Sequence, residues 1–323
     1  MILGSAFNLD LGVIVKNRNP RAAAYIVLLI AMVLWASTFV AQKLALRAYD
    51  PMVVVFGRML IASLCVVFYP VAFKNVPKIR LKDAKYIALM ALCEPCFYFL
   101  FEIKALHYTS ASQAGMITTM MPLMTAIGAW VFLKEHLSAR TCTGFIIAAS
   151  GALWLSLSSP STPHGPNPLL GNFLEFLAMV CTTGYALTLK KLTPRYKPFF
   201  LAYIQAFSGA LFYLPLLFLP STQLPTHVDP VSFWAIIYLG AVVTIGAYGC
   251  YNFGVSRIPA SQATAFVNLI PVICLIMSGL ILGEKFTAIQ YMASAVVLAG
   301  VILTQDRSST SDSNITVSSS SQP

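Results

Sequence analysis

The chain has 323 residues, of which 58% are hydrophobic and only 10% charged, and its mean hydropathy is +0.77. A soluble domain carries roughly 25% charged residues, so an ordinary soluble protein is excluded and lipid is the expected solvent for most of the chain. The net charge of +10 does not point to nucleic acid, because the basic residues lie in short clusters between apolar runs and form no single patch.

Charge clusters, prolines and polar runs cut the chain into apolar segments near 22–44, 52–73, 85–105, 110–132, 139–157, 171–191, 198–219, 231–253, 259–282 and 286–304. A helix needs about 20 residues to cross a hydrocarbon core of ~30 Å, and alternating strands of barrel type are not seen, so an all-α membrane protein of ten transmembrane helices is expected. The first twenty residues lack a basic start, an apolar h-region and a small-residue cleavage site, so they do not read as a removable signal peptide.

With the N-terminus in the cytoplasm, sixteen of the 21 Lys and Arg residues fall inside and only Lys43, Arg47, Lys104 and Lys285 fall outside. Both termini are therefore expected to be cytoplasmic and the chain to sit in the cytoplasmic (inner) membrane. The remaining basic residue, Arg58, lies within the second span. Residues 158–170, proline-rich and uncharged, read as an external linker. Residues 1–21 form a cytoplasmic N-terminal segment, and the Ser-rich tail over 305–323 reads as disordered.

Residues 105–153 align without a gap on residues 254–302 at a constant offset of 149, with ten identities in 49 positions. Ala111-Ser112-Gln113-Ala114 falls on Ala260-Ser261-Gln262-Ala263, Pro122 on Pro271, Glu135 on Glu284 and Gly151 on Gly300. A four-residue run in register with a proline and a span-ending glutamate indicates duplication. Five spans per copy is an odd number, so the copies, 22–157 and 171–304, are inverted relative to each other. That is an architecture of secondary transporters, in which rocking opens a midplane site to either side.

The stretch Ala105-Leu106-His107-Tyr108-Thr109-Ser110-Ala111, with Pro122, Phe132-Leu133-Lys134-Glu135 and Gly151, resembles the EamA-type family of the drug/metabolite transporter superfamily. Leu34-Trp35-Ala36-Ser37 and Arg58 are similar to that family's first repeat. Ile258-Pro259-Ala260-Ser261, Pro271 and Leu282-Gly283-Glu284-Lys285 are similar to its second. The resemblance spans roughly residues 22–304 and implies a 5+5 inverted-repeat exporter or permease of small metabolites.

An ionisable side chain in a span should face a cavity or a partner. Arg58 and Glu94 lie on adjacent antiparallel helices at depths of roughly 10 and 15 Å, which allows a structural ion pair. Pro95 should bend the helix and free backbone carbonyls beside the Glu94 carboxylate. Glu94, Tyr98 and Glu102 fall at i, i+4 and i+8 on one stripe, a candidate cavity wall for a proton or a substrate cation. Glu102 also fits a solvated position or a pair with Lys104. Glu175, about one turn into the sixth span, reads as solvated or snorkelling.

Gln113 and Gln262 are equivalent under the repeat and either line the path or hold helices together, as do Asn252, Asn268 and Gln205. Pro122 and Pro271 kink their helices, and the carbonyls they free are satisfied either by substrate or by the Thr118 and Val267 backbones and neighbours. Trp35, with Ser37 and Thr38 beside it, either faces the cavity or packs between helices. Tyr185 sits at comparable depth, and Tyr248 lies in the eighth span with Tyr251. Trp130, Trp154 and Trp234 fall near span ends, as interface anchors do.

The expected function is an exporter of small organic metabolites such as amino acids or related compounds, with proton coupling an open option. An uptake permease or facilitated uniporter of the same fold is the alternative. Two other classes stay open: a thiol oxidoreductase using Cys93 and Cys96, and a non-transporting sensor acting through the Ser-rich tail. The seven cysteines all lie in apolar stretches. The expected partners are a small-molecule substrate and the lipid bilayer. No enzyme activity, metal site or cofactor is expected, and neither cargo nor oligomeric state is legible.

Overall fold

The computed structural model describes residues 20–67, 79–133, 139–162, 165–192, 195–196, 198–255 and 266–304. Residues 1–19 of the N-terminal segment, Glu135, Gln262 and the Ser-rich tail lie outside the described residues. Helices α1 (Pro20–Ala45) and α2 (Pro51–Val67) are followed by α3 (Leu81–Ala91), which continues through a wide π-helical turn at Leu92–Phe97 into α4 (Tyr98–Tyr108). Next come α5 (Ala111–Ile117), α6 (Met120–Leu133), α7 (Ala139–Leu157), α8 (Pro168–Leu192) and α9 (Pro198–Leu216). Helix α10 (Pro230–Ile237) runs through a second wide turn, Tyr238–Ala247, into α11 (Tyr248–Val255), and α12 (Ile270–Leu282) and α13 (Ala288–Thr304) complete the chain.

The runs Ala23–Ala45, Leu81–Tyr108, Pro168–Leu189 and Pro230–Tyr251 are long and apolar enough to cross a membrane, and several shorter apolar helices accompany them. Large apolar side chains such as Ile30, Leu64, Ile146, Leu211 and Leu280 are exposed on the outer faces, as are Trp130, Trp154 and Trp234. In lipid these faces need no burial.

Four predicted spans are interrupted. Pro95 supplies no backbone N–H, and Glu94 adopts extended φ/ψ of −145° and 116° within the first wide turn. The second wide turn contains no proline, yet residues 92–97 fall under the 149-residue offset on 241–246, inside it. The predicted span 110–132 breaks at Thr118 and Thr119, just before Pro122. The Thr118 carbonyl left over by that proline accepts from Met121 N–H at 3.0 Å. A matching turn at Asn268 and Leu269 precedes Pro271.

Contacts between the copies are reciprocal. Helices α7 and α13, equivalent under the offset, pack directly on each other. A Cβ on Gly151 would meet Val297 N at 2.7 Å, and one on Gly300 would meet Ala148 N at 2.5 Å; Ala148 and Val297 are themselves equivalent. Only glycine permits this approach of backbones, the small-residue crossing that membrane helices use. The loops show the same exchange: Arg80 N donates to Tyr196 Oη at 3.3 Å, and its equivalent Asp229 N donates to Tyr49 Oη at 3.1 Å.

Candidate functional site

The first wide turn places Glu94 between the two copies. Its carboxylate accepts from Thr182 Oγ1 of α8 at 2.5 Å and from the Tyr248 hydroxyl at the start of α11. The Glu94 carbonyl, turned out of the helix by the extended backbone at Glu94, accepts from Gln205 Nε2 at 3.0 Å, and the Tyr213 hydroxyl donates to the Cys96 carbonyl. The bend thus does free carbonyls, and α9 takes them up. Glu94 and Tyr248 line a cavity of about 20 Å³ together with Met59, Phe99, Gln205 and Thr244. A single water needs roughly 10–15 Å³, so this cavity is too small for any metabolite.

Aromatic rings border the site. Trp35 packs edge-on to Tyr248 at 5.8 Å between centroids and tilted on Tyr251 at 4.9 Å. Tyr185 is half-buried, close enough for its hydroxyl to feel the Glu94 charge and to bond Gln205. Ser37 turns the other way: its hydroxyl donates to the Leu34 carbonyl at 2.7 Å and shares a 2.7 Å bond with the Tyr238 hydroxyl.

The expected Arg58–Glu94 ion pair is not what forms. Arg58 Nη1 lies 3.8 Å from Glu102 Oε2, Nε donates to Thr244 Oγ1 at 3.0 Å, and the guanidinium covers the Phe99 ring at 4.3 Å. Arg58 is seven residues from the start of α2 and Glu102 six from the end of α4, about 10 and 9 Å deep at the helical rise. The wide turn meanwhile swings Glu94 towards α8. Glu102 accepts from Gln42 Nε2 at 2.8 Å and from the Tyr98 hydroxyl at 2.7 Å. It is buried, so neither solvent nor Lys104 is its partner.

Glu175 is also corrected. It is 0% exposed, neither carboxylate oxygen has a hydrogen-bond partner, and it sits two turns from the start of α8 at Pro168. Reckoning depth from residue 171 put it too near the boundary, and only the packing of α4 on α8 buries it.

The other predicted residues divide. Gln113 Oε1 accepts from Asn172 Nδ2 at 2.9 Å, so it ties α5 to α8. The Thr118 hydroxyl donates to the Gly115 carbonyl at 2.7 Å within its own helix end. Asn268 leaves a buried Oδ1 without a partner. Asn252 lies on α11, and its side chain is not among the described ones.

Contacts close the layers above and below. Gly283, in left-handed conformation at φ 71°, ends α12 and turns the next residue back. The Glu284 carboxylate accepts from Ala111 N and Ser112 N, both at 2.9 Å, and from Ser112 Oγ at 2.6 Å. It thereby occupies the N-terminus of α5, where free N–H groups and the helix dipole favour an anion. Near the opposite end Arg195 Nη1 meets buried Asp83 at 2.9 Å, and Tyr196 Oη donates to the same carboxylate at 3.1 Å. Sequence reasoning singled out neither clasp, although the register of Glu284 on Glu135 marked one of the residues.

A wide turn at equivalent places in two copies, a buried carboxylate gripped across them and a small cavity beside it frame the comparisons with known proteins. The model of the EamA-like transporter family matches residues 22–157 and again 169–305. The chain belongs to the EamA-like transporter family. One EamA relative, the "Uncharacterized transporter YetK" of Bacillus subtilis (strain 168), is 26% identical over 296 residues, covering 91% of this chain and 89% of that protein. Another, the "Probable terminal-alkyne amino-acid exporter" of Streptantibioticus cattleyicolor, is 25% identical over 281 residues, covering 87% and 92%. A solved crystal structure shares the fold with a TM-score of 0.59 at 16% identity, covering 87% of this chain and 96% of that one.

Proposed function

We propose that this EamA protein is a secondary transporter of ten membrane crossings, two inverted five-helix copies with both termini in the cytoplasm, that exports small organic metabolites such as amino acids across the cytoplasmic membrane. The two copies rock between outward- and inward-facing arrangements around Glu94, and the export is coupled to protons. The observation that carries this reading is the Glu94 carboxylate. It stands on the helix break of one copy and is held by hydroxyls of the other, whose own break contributes Thr244 to the same cavity. Discontinuous helices at corresponding places mark the substrate site in inverted-repeat transporters.

A buried carboxylate beside Tyr248, Trp35 and Tyr251 suits an ammonium group, which the charge attracts and the rings accept over their faces. The amino-acid exporter among the relatives favours the same cargo class. The test uses the full-length protein in lipid vesicles loaded with a panel of labelled amino acids, including propargylglycine, a terminal-alkyne amino acid. The wild type should release and exchange at least one of them, and Glu94→Gln should slow that exchange at least tenfold. No efflux or exchange of any panel member would overturn the amino-acid reading, and full exchange in Glu94→Gln would remove Glu94 from the site.

A further inference from the structure

Three carboxylates lie within the helical bundle, and their surroundings differ. Glu94 accepts from two hydroxyls. Glu102 accepts from an amide and a phenol and has the Arg58 guanidinium 3.8 Å away. Both are thus surrounded as ions require: donors and, for Glu102, a cation take the place of water. Glu175 has none of these, being fully buried with both oxygens unpartnered. An isolated ionised carboxylate cannot be kept in such a place, and the group neutralises instead.

Its neighbourhood is specific. The charge acting on Glu175 is that of Glu102, from α4 across the helix contact. Tyr98, also on α4, donates its hydroxyl to Glu102 at 2.7 Å and feels the charges of Glu102, Glu175 and Glu94 together. Cys274 of α12 lies within reach of the Glu175 and Glu284 charges. Helices α5 and α6, which also pack on α8, carry no ionisable side chain, and the Asp83, Lys85 and Tyr86 cluster of α3 lies towards the far end of α8. The guanidinium beside Glu102, that of Arg58, is engaged by Glu102 and Thr244, and Arg140, on α7, which also packs on α8, donates to the Leu303 carbonyl at 2.7 Å.

We infer that Glu175, facing Glu102 across the α4–α8 contact, is a proton-binding site separate from the Glu94 substrate site and serves as the proton carrier of the transport cycle. The inference rests on the transporter reading for the role of the proton, though not for its presence. The step is a proton transfer alone. When the layer under Glu284 opens, H3O+ from the entering water gives a proton to a Glu175 oxygen and leaves H2O. On the opposite opening water takes the proton back as H3O+. A proton fits better than a metal cation, which needs several ligands at once, whereas among the described residues no group of three or more His, Cys, Asp or Glu side chains is placed to hold one.

Infrared difference spectroscopy on the full-length protein in lipid vesicles tests this without a substrate. The titration runs from about pH 5 to about pH 9, the range over which buried carboxyls are known to release their protons. A carbonyl-stretch band of a protonated carboxylic acid should be present at neutral pH in the wild type, survive in Glu94→Gln and Glu102→Gln, and vanish in Glu175→Gln. Should Glu175→Gln fail to fold, Glu175→Asp must shift the band. A band that persists in Glu175→Gln, does not move in Glu175→Asp, is absent from the wild type, or is displaced by Na+ at fixed pH overturns the proposal. In transport, Glu175→Gln should keep amino-acid exchange at zero pH gradient and lose gradient-driven accumulation at least tenfold; loss of neither would overturn the carrier role. If no panel amino acid is exchanged by the wild type, the amino-acid reading fails while the infrared result still decides where the proton sits.

Discussion

Glu284 offers the sharpest perturbation of the proposed cycle. Its carboxylate accepts three hydrogen bonds at the N-terminus of α5, two of them from the backbone N–H groups of Ala111 and Ser112, which are 0% and 1% exposed. Glu284→Ala leaves both N–H groups unpaired while the layer is closed, whereas water satisfies them once it opens. A buried donor without a partner costs about 1–3 kcal/mol. Glu284 itself is half-buried, so a sum of about 2–4 kcal/mol against the closed arrangement is appropriate, between about thirty-fold and about a thousand-fold in population. Cys274 reports the opening, because it is fully buried and donates from Sγ to the Ala111 carbonyl at 3.2 Å. With the other six cysteines replaced by alanine, a membrane-impermeant maleimide added outside should label Cys274 at least tenfold faster in Glu284→Ala. In Glu284→Gln, which keeps one acceptor oxygen, the increase should be smaller. Labelling within twofold of the parent in the alanine variant would refute the clasp.

Other expectations follow from the same contacts. Gly300→Ala and Gly151→Ala each drive a methyl into the partner helix backbone, and overpacking of this kind costs about 1–3 kcal/mol; both should lower Tm in detergent, and by similar amounts because the contact is reciprocal. Tyr49→Phe and Tyr196→Phe each remove the acceptor of one backbone N–H at opposite ends of the bundle. They should bias labelling from opposite sides of the membrane, and a shift to the same side would contradict the inverted arrangement. Asp229 caps α10, accepting from Ser232 N at 2.8 Å, and that bond holds its carboxyl below the usual carboxylate range. A lowered folded value means that the cap's stabilisation is complete above the ordinary carboxylate pKa and is lost as pH falls through the lowered one. The Tm deficit of Asp229→Ala should therefore be full at neutral pH and shrink in acid, while Asp229→Asn, nearly as good a cap, should show little deficit at neutral pH.

The hydrophobic runs, the repeat and the Glu94-Pro95 break were legible because each is a property of one segment or of a register between two. Lipid imposes length and apolarity on every crossing, and a proline removes its N–H wherever it sits. The break over Tyr238–Ala247 carries no such mark, and its only signal was the offset carried back from Glu94 to Val243, beyond the stretch where the copies visibly align. The partners of Arg58 and Glu175 depended on which helices touch and how a wide turn rotates the side chains after it. That information is tertiary, and counting residues from a span end captured depth for Arg58 but neither the burial of Glu102 nor the azimuth of Glu94.

The clasps also bear on how such a molecule could move. One end is held by Glu284 on α5 and by Tyr49 with Asp229, the other by Asp83 with Arg195 and Tyr196. Each set is a few hydrogen bonds between the copies, whereas the α7–α13 crossing at Gly151 and Gly300 locks backbone to backbone. A rocking motion would keep the crossing as its pivot and release one clasp at a time. In the proposed cycle, because the two sets are similar in kind and number, the outward- and inward-facing arrangements would differ by the small residue of nearly equal terms. A gap of a few kcal/mol is one that binding of a cation at Glu94, or of a proton at Glu175, is large enough to reverse.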